Sequence, residues 1–160
     1  MQQRILFVCH GNICRSPMAE AIFKHLAEQA GVSHLYCVDS AAVSAEEIGN
    51  GIYPPVQHCL HAHGIRFDKD RHARQVTADD YQRFDQIICM DTSNLRWLRR
   101  IIGEDHQHKV KLLMEFAGCK RDVADPWYTG DFEKSYSDIL DGCGKMLGVR
   151  PLAEPMTNRG

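Results

Sequence analysis

Residues 8–17 read Val-Cys-His-Gly-Asn-Ile-Cys-Arg-Ser-Pro, and the fold prediction rests on them. An apolar, strand-like run at 5–8 leads into it, and a helix-like run at 18–26 leads out. We therefore predict a loop between a first strand and a first helix. Such a turn directs backbone N–H groups and the positive end of the helix dipole at one point, which makes an anion site.

Cys9 and Arg15 stand at the two ends of this loop, with five residues between them. A cysteine at a helix N-terminus beside a cation is favoured as the thiolate, the nucleophilic form. An arginine can bind a phosphate through two parallel hydrogen bonds. Gly11 allows a close backbone approach, Asn12 tolerates left-handed dihedrals, and the Ser16 hydroxyl can donate to the thiolate. The pattern predicts a phosphatase that uses cysteine as its nucleophile.

Length and composition indicate an ordinary globular protein. The chain has 160 residues, of which 44% are hydrophobic and 25% charged, with a net charge of -2. We expect one domain over 1–160 with a loose polar tail at 151–160, and neither nucleic acid nor a membrane surface as a partner. The sequence shows no secretory signal or long apolar span, so we expect no membrane insertion. Seven cysteines without paired Cys-x-x-Cys units favour free thiols in a reducing cytoplasm.

Alternating strand-like and helix-like segments predict an α/β fold, doubly wound around a parallel sheet. In a right-handed arrangement the carboxyl ends of the strands share one edge, where ligands bind, and Cys9 lies at such an end. Strands are predicted at 4–9, 36–40, 86–90 and 109–113, and helices at 17–30, 54–63, 77–84, 92–102 and 131–147.

The signature Cys-x-Gly-Asn-x-Cys-Arg-Ser-Pro is unbroken from residue 9 to residue 17, and here the chain resembles the low-molecular-weight protein tyrosine phosphatases. The resemblance implies a flavodoxin-like sheet of four parallel strands with a phosphate-binding loop after the first. It also implies an enzyme that removes phosphate from phosphotyrosine proteins with no cofactor and no metal. Further matches include Asp39-Ser40-Ala41, His72-Ala73-Arg74-Gln75, Met90-Asp91 and Asp125-Pro126-Trp127-Tyr128.

The resemblance implies a role for each catalytic residue. Cys9 attacks phosphorus and forms phosphocysteine, while Arg15 holds two phosphate oxygens. Asp125 is the general acid for the leaving phenol and then the base for water. The residues expected to line the phosphate and substrate site are His10, Gly11, Asn12, Ile13, Cys14 and Ser16, with Trp127 and Tyr128 as an aromatic wall.

Supporting and regulatory roles also follow from the resemblance. Ser40 and His72 are expected to brace Asn12 and keep the loop open. Cys14 faces the same cradle and is expected to form a reversible, redox-sensitive disulfide with Cys9. Phosphate, the product, is expected to inhibit. We expect a monomer, with weak self-association through the exposed mouth as the alternative.

The segment 42–47 departs from the family pattern. The family usually carries an aromatic residue at the mouth, where our alignment places Glu46, next to Glu47. Two carboxylates there would favour substrates with basic flanks, unless they form only a solvated loop face. Ile13 favours a flat phenol, since phosphatases of phosphoarginine tend to carry threonine at this position. Phosphoarginine stays open as a substrate.

Two other functions remain open at this stage. An arsenate reductase needs resolving cysteines close together late in the chain, whereas Cys89 and Cys119 are 30 residues apart. A non-catalytic phosphate-binding module would not need the full catalytic set. His58, His61 and His63 lie on or near one predicted helix, but no Cys or acidic partner completes a metal-ligand set, so no metal site is expected.

Overall fold

A parallel four-stranded sheet forms the centre of the computed structural model, which describes residues 2–148. Its strands are β1 (Gln3–Cys9), β2 (Tyr36–Ala42), β3 (Gln86–Cys89) and β4 (Val110–Leu112), in the spatial order β2-β1-β3-β4. The doubly wound, flavodoxin-like sheet is therefore confirmed. The loose tail predicted at 151–160 lies outside the described residues.

Five of the helices correspond to predicted ones. They are α1 (Arg15–Gln29), α2 (Pro54–Ala62), α3 (Asp80–Arg83), α4 (Thr92–Ile102) and α7 (Phe132–Leu147). The third is four residues long instead of the eight predicted at 77–84. Its first turn is replaced by a local hydrogen bond of 2.8 Å from the Thr77 N–H to the Asp80 carboxylate. Not predicted were a 3₁₀ turn at Ser33–Leu35, α5 (Leu113–Phe116) and α6 (Pro126–Thr129).

Helices cover both faces of the sheet. Successive β1 side chains point to opposite sides, so β1 contributes to an apolar cluster on each face. Phe7 joins the larger apolar cluster with α1, α2 and α7, packing on Phe23 at a ring-centroid distance of 5.8 Å. Leu6 and Val8 join the smaller cluster on the other face with Leu98 of α4. This burial leaves the carboxyl edge of the sheet as the place where polar loops meet.

The loops after three strands meet at that edge. The chain leaving β2 pairs with the loop after β1, since Val43 N–H donates to Cys9 O and Ser44 N–H to His10 O, both at 3.0 Å. Asp91 follows β3 and caps α4, accepting a 2.7 Å hydrogen bond from Asn94 N–H. The fold thus brings Cys9, segment 42–47 and Asp91 to one point, where the strand order reverses.

Candidate active site

The sulfur of Cys9 lies at the floor of the loop, surrounded by hydrogen-bond donors. The backbone N–H groups of Asn12 and Ser16 both donate to Sγ at 3.3 Å. The Ser16 hydroxyl lies 3.1 Å from the same sulfur. Cys9 itself is buried. Three hydrogen-bond partners from the loop and the start of α1 thus converge on one sulfur.

Asn12 holds the loop in shape. It is fully buried and has a positive φ of 61°, a left-handed conformation that asparagine tolerates. Its side-chain amide donates to the hydroxyls of Ser16 at 2.7 Å and Ser40 at 3.0 Å. Ser40 therefore lies against Asn12, where the resemblance placed it.

The second brace of Asn12 is Arg71, and the expectation for His72 is wrong. His72 is exposed and lies outside this network. Arg71 donates to the Asn12 side-chain oxygen at 2.5 Å, to its backbone oxygen at 3.3 Å and to the Ser40 hydroxyl at 3.2 Å. The two residues are adjacent in the sequence, so a resemblance read from the motif alone misplaced the brace by one position.

Arg15 is buried at the start of α1 and aims its guanidinium at the carboxyl edge. One nitrogen donates to Asp91 at 2.7 Å and to the Val123 carbonyl at 2.8 Å, and the other lies 3.4 Å from Asp125. Burial disfavours the charged form, but the negative charges of Cys9, Asp125 and Asp91 outweigh it and raise the pKa of Arg15.

The remaining nitrogen of Arg15 has no partner among the described residues. Its Nε is buried and makes no hydrogen bond. An unpaired buried donor is costly, so an acceptor is expected there when the site is in use. A phosphate oxygen is a suitable acceptor because guanidinium and phosphate geometries match.

Asp125 lies at the start of α6, opposite the loop. One carboxylate oxygen accepts from Trp127 N–H at 3.1 Å, while the other faces Arg15. The side chain is 25% exposed, so it is accessible to a group bound in front of the loop. Pro126 at the first helical position fixes the backbone that carries it.

A cavity of about 140 Å³ joins these groups. Trp127 and Tyr128 form its outer wall and are 51% and 83% exposed. Trp127 packs on Tyr53 with ring centroids 4.8 Å apart. The lining residues are Cys9, His10, Gly11, Ile13, Cys14, Arg15, Glu46, Glu47, Asp125, Trp127 and Tyr128. Asn12 and Ser16, which were expected in this lining, instead lie behind it and bind the Cys9 sulfur.

The two glutamates of segment 42–47 do reach the cavity mouth. Glu46 lies 3.2 Å from the His10 ring nitrogen, and Glu47 accepts from Asn50 at 2.8 Å. The other side of the His10 ring meets Trp97 edge-on at 5.5 Å. Trp97 is 87 residues from His10 in the sequence, and no local pattern could have placed it here.

Cys14 lines the same cavity and is 5% exposed. Burial, reinforced by the negative charges of Cys9 and Asp125, raises the pKa of Cys14 to about 12. It therefore keeps its proton at neutral pH.

The sequence predicted neither a membrane-spanning segment nor a metal-ligand set, and residues 2–148 bear on both predictions. No helix there is long and apolar enough to cross a bilayer. The expectation that no acidic or cysteine partner completes a set with the histidines is wrong, because Cys59 and Glu133 lie beside His63. That cluster does not line the catalytic cavity.

A parallel α/β sheet that ends in an anion-binding loop with a buried cysteine defines the class of protein, a small α/β phosphatase. A profile of the family "low molecular weight phosphotyrosine protein phosphatase" matches residues 4–156. The chain belongs to this family.

Individual relatives agree with this assignment. The low molecular weight protein-tyrosine-phosphatase YfkJ of Bacillus subtilis strain 168 is 43% identical over 145 residues, covering 89% of this chain and 92% of that protein. Its crystal structure superposes with a TM-score of 0.88 at 41% identity, covering 92% and 94% of the two chains. The human low molecular weight phosphotyrosine protein phosphatase is 42% identical over 148 residues, with coverages of 89% and 92%. The structure of DARP, drosophila arginine phosphatase, has a TM-score of 0.82 at 33% identity, with coverages of 92% and 96%.

Proposed function

We propose that this protein hydrolyses phosphotyrosine in proteins through a phosphocysteine intermediate, with Asp125 as general acid and no metal in the reaction. One observation carries the proposal. The Cys9 sulfur, ringed by the N–H groups of Asn12 and Ser16, shares one cavity with Arg15, Asp125 and an aromatic wall. Nucleophile, anion clamp, acid and phenol-binding surface are the four parts that this chemistry requires.

In the first step the Cys9 thiolate attacks phosphorus, and the bond from phosphorus to the phenolic oxygen breaks. The loop N–H groups and Arg15 bind the equatorial oxygens, and the unpaired Arg15 Nε is the donor kept for them. Asp125 transfers its proton to the departing phenolate, so tyrosine leaves as a neutral phenol.

In the second step Asp125, now a carboxylate, removes a proton from water. The resulting oxygen attacks phosphorus and displaces the Cys9 thiolate, releasing inorganic phosphate. Ser16 stabilises the returning thiolate through its hydroxyl, 3.1 Å from the sulfur. Phosphate fits the same cradle, so we propose that it inhibits as product.

Specificity for a phenyl phosphate rests on the aromatic wall. Trp127, which packs on Tyr53, and Tyr128 offer flat surfaces above a buried sulfur. A phosphate therefore reaches the sulfur only when it is carried by a long, planar group. Ile13 contributes an apolar contact at the floor. Phosphoserine, whose phosphate lies close to its backbone, would not reach.

A redox role is proposed for Cys14. Peroxide would oxidise Cys9 to the sulfenic acid with loss of water, and the Cys14 thiol would then condense with it, releasing a second water and forming a disulfide. Such an enzyme needs a reducing compartment to regain its thiolate, and we propose the cytoplasm. We also propose that residues 1–160 act as a single-domain monomer.

The deciding experiment measures phosphate release from a phosphotyrosine peptide, a phosphoserine peptide and phosphoarginine, in the presence of a chelator. The wild type is compared with Cys9→Ser. Release from phosphotyrosine that is lost in the variant supports the proposal. A preference for phosphoarginine would instead favour the activity named for the similar Drosophila protein. Phosphate binding with no release from any substrate would leave a binding module and overturn the proposed chemistry.

A further inference from the structure

Cys59, His63 and Glu133 form a cluster at the contact between α2 and α7, hereafter the α2–α7 cluster. The His63 ring nitrogen lies 2.8 Å from one Glu133 oxygen, and Cys59 Sγ lies 3.5 Å from the other. One ligand-type atom from each residue lies within 4.8 Å of the other two. The cluster is separate from the residues that line the catalytic cavity.

The helices position these side chains for a common target. Cys59 and His63 are four residues apart at the end of α2, and therefore lie on one face. Glu133 comes from the first turn of α7 and reaches across to them. The His63 ring is stacked on Tyr136 of α7, with centroids 3.8 Å apart and planes 10° from parallel, which fixes its orientation.

The ligand atoms of Cys59, His63 and Glu133 are of the types that bind transition metals. Thiolate, imidazole and carboxylate are the three ligand types that zinc takes in proteins, whereas Mg²⁺ and Ca²⁺ need oxygen ligands. Zinc ligands at about 2.0–2.3 Å in a tetrahedron lie about 3.3–3.8 Å from one another. The Cys59–Glu133 separation of 3.5 Å lies in this range, His63 and Glu133 are closer at 2.8 Å, and the three ligand atoms lie within 4.8 Å of one another. Side-chain movements of about 1 Å would therefore form the tetrahedron.

Hydrogen bonds link the three side chains of the cluster. The Cys59 thiol donates its proton to the Glu133 carboxylate at 3.5 Å. A metal ion would release that proton to solvent and take its place. One thiolate and one carboxylate would then balance the two positive charges of the ion, with imidazole as a neutral third ligand.

We propose that the α2–α7 cluster is a binding site for Zn²⁺, with Cys59, His63 and Glu133 as ligands and water in the fourth position. The ion would join the end of α2 to the beginning of α7. The opposite end of α2 supports the catalytic wall, because Tyr53 packs on both Trp127 at 4.8 Å and Phe132 at 6.0 Å. The ion thus stabilises the fold beside the active site without taking part in the reaction.

The test is a titration of metal-free protein with Co²⁺ and then Zn²⁺, in a Cys9→Ser background so that the catalytic thiol cannot bind the metal. Bound cobalt should give a thiolate charge-transfer band and tetrahedral visible bands, and zinc should displace it. Cys59→Ser should abolish the charge-transfer band. Glu133→Gln, at a side chain that is 65% exposed, should weaken binding on the order of 10- to 100-fold. His61→Gln, an exposed histidine on the same helix, is the matched control and should bind as the background does.

Thermal unfolding gives a second readout. Zinc should raise Tm in the background and in His61→Gln, should raise it less in Glu133→Gln, and should leave the Tm of Cys59→Ser unchanged. No charge-transfer band, or a band that survives both ligand substitutions, would overturn the site. Since catalysis is not measured, this result is independent of the proposed phosphatase activity.

Discussion

Arg71 donates a 2.5 Å hydrogen bond from its guanidinium to the side-chain oxygen of Asn12, the non-glycine loop residue with a positive φ of 61°. A second contact of 3.3 Å reaches the Asn12 backbone oxygen. The left-handed turn directs the Asn12 N–H at the Cys9 sulfur, 3.3 Å away. Arg71 therefore fixes the direction of the Asn12 N–H donor from outside the cavity, without lining the cavity itself.

Removing this brace should impair turnover. We expect Arg71→Ala to lower kcat on the order of 10- to 100-fold, as loss of a supporting hydrogen bond does at other preorganised sites, with a smaller change in KM. Arg71→Lys should restore part of kcat, because an ammonium can make one of the hydrogen bonds. Steady-state kinetics on a phosphotyrosine peptide, with Tm measured alongside, checks this.

His72→Ala is the matched control, since His72 is adjacent in sequence but exposed. Its kcat should equal that of the wild type. Loss of activity in His72→Ala with none in Arg71→Ala would return the bracing role to the histidine.

Replacing Arg15 tests the anion clamp. Lysine keeps the charge near Asp91 and Asp125 but cannot supply the Nε donor or the planar pair, so Arg15→Lys should lower kcat by about 10²- to 10³-fold. The fold should survive, as circular dichroism would report. Arg96→Lys, on the surface of α4, is the control and should be neutral. Near-normal turnover in Arg15→Lys would rule out the proposed binding of phosphate by the planar Arg15 guanidinium.

Replacing Asp125 tests the general acid. Asp125→Asn keeps a hydrogen-bond acceptor for Trp127 N–H but cannot give up a proton at the required step. We expect kcat to fall about 10²- to 10⁴-fold for phenyl phosphates with poor leaving groups, and much less for activated ones. Asp79→Asn, at an exposed carboxylate before α3, should leave both rates unchanged. Equal losses on the two kinds of substrate would exclude proton transfer by Asp125.

Much of the fold could be predicted because its signals are local. The helix predicted at 92–102 matches α4 residue for residue, since Asp91 and Asn94 form a capping box within the sequence segment itself. The short helices α5 and α6 were missed because four residues are less than two turns and show no periodicity. The loop with Cys9 and Arg15 could be read directly because all its parts are consecutive.

The rest of the site depends on contacts between distant parts of the chain. Arg71 is 59 residues from Asn12, and Asp91 is 76 residues from Arg15. Likewise, 70 residues separate His63 from Glu133. Nothing in the spacing of such residues distinguishes them from other charged side chains, and only the folded sheet and helices bring them together.

Stability should depend on pH through Asp138 and Arg121. The Arg121 guanidinium donates to Asp138 at 2.8 and 2.9 Å and holds the pKa of that buried carboxyl below its ordinary value. Because the folded-state pKa is lowered, the stabilisation is complete above the unfolded pKa of about 3.9 and disappears as pH falls through the folded value. We expect Asp138→Asn to lower the free energy of unfolding by about 1–3 kcal/mol at neutral pH, and by progressively less below about pH 4.

Urea unfolding over a pH series measures that difference. Asp141→Asn is the control, because Asp141 pairs with Lys145 at the surface and should change the free energy of unfolding by less than about 0.5 kcal/mol. A deficit in Asp138→Asn that stayed constant into strong acid would contradict the pairing.

The mouth glutamates should select for substrates with basic flanks. Glu46 is 66% exposed and lies 3.2 Å from the His10 ring nitrogen, whereas Glu47 is held over the loop by a hydrogen bond from Asn50. We therefore expect Glu47 to contribute more than Glu46 to this selectivity. Exposed pairs contribute roughly 0.2–1 kcal/mol, which predicts about a 1.4- to 5-fold higher kcat/KM for a basic than for a neutral phosphotyrosine peptide at low salt. Glu47→Gln should remove most of this preference and added salt should reduce it, because surface charges are screened. Glu104 does not line the cavity, so Glu104→Gln should preserve the preference.

Equal kcat/KM for basic and acidic peptides in the wild type would mean that segment 42–47 is only a solvated loop face.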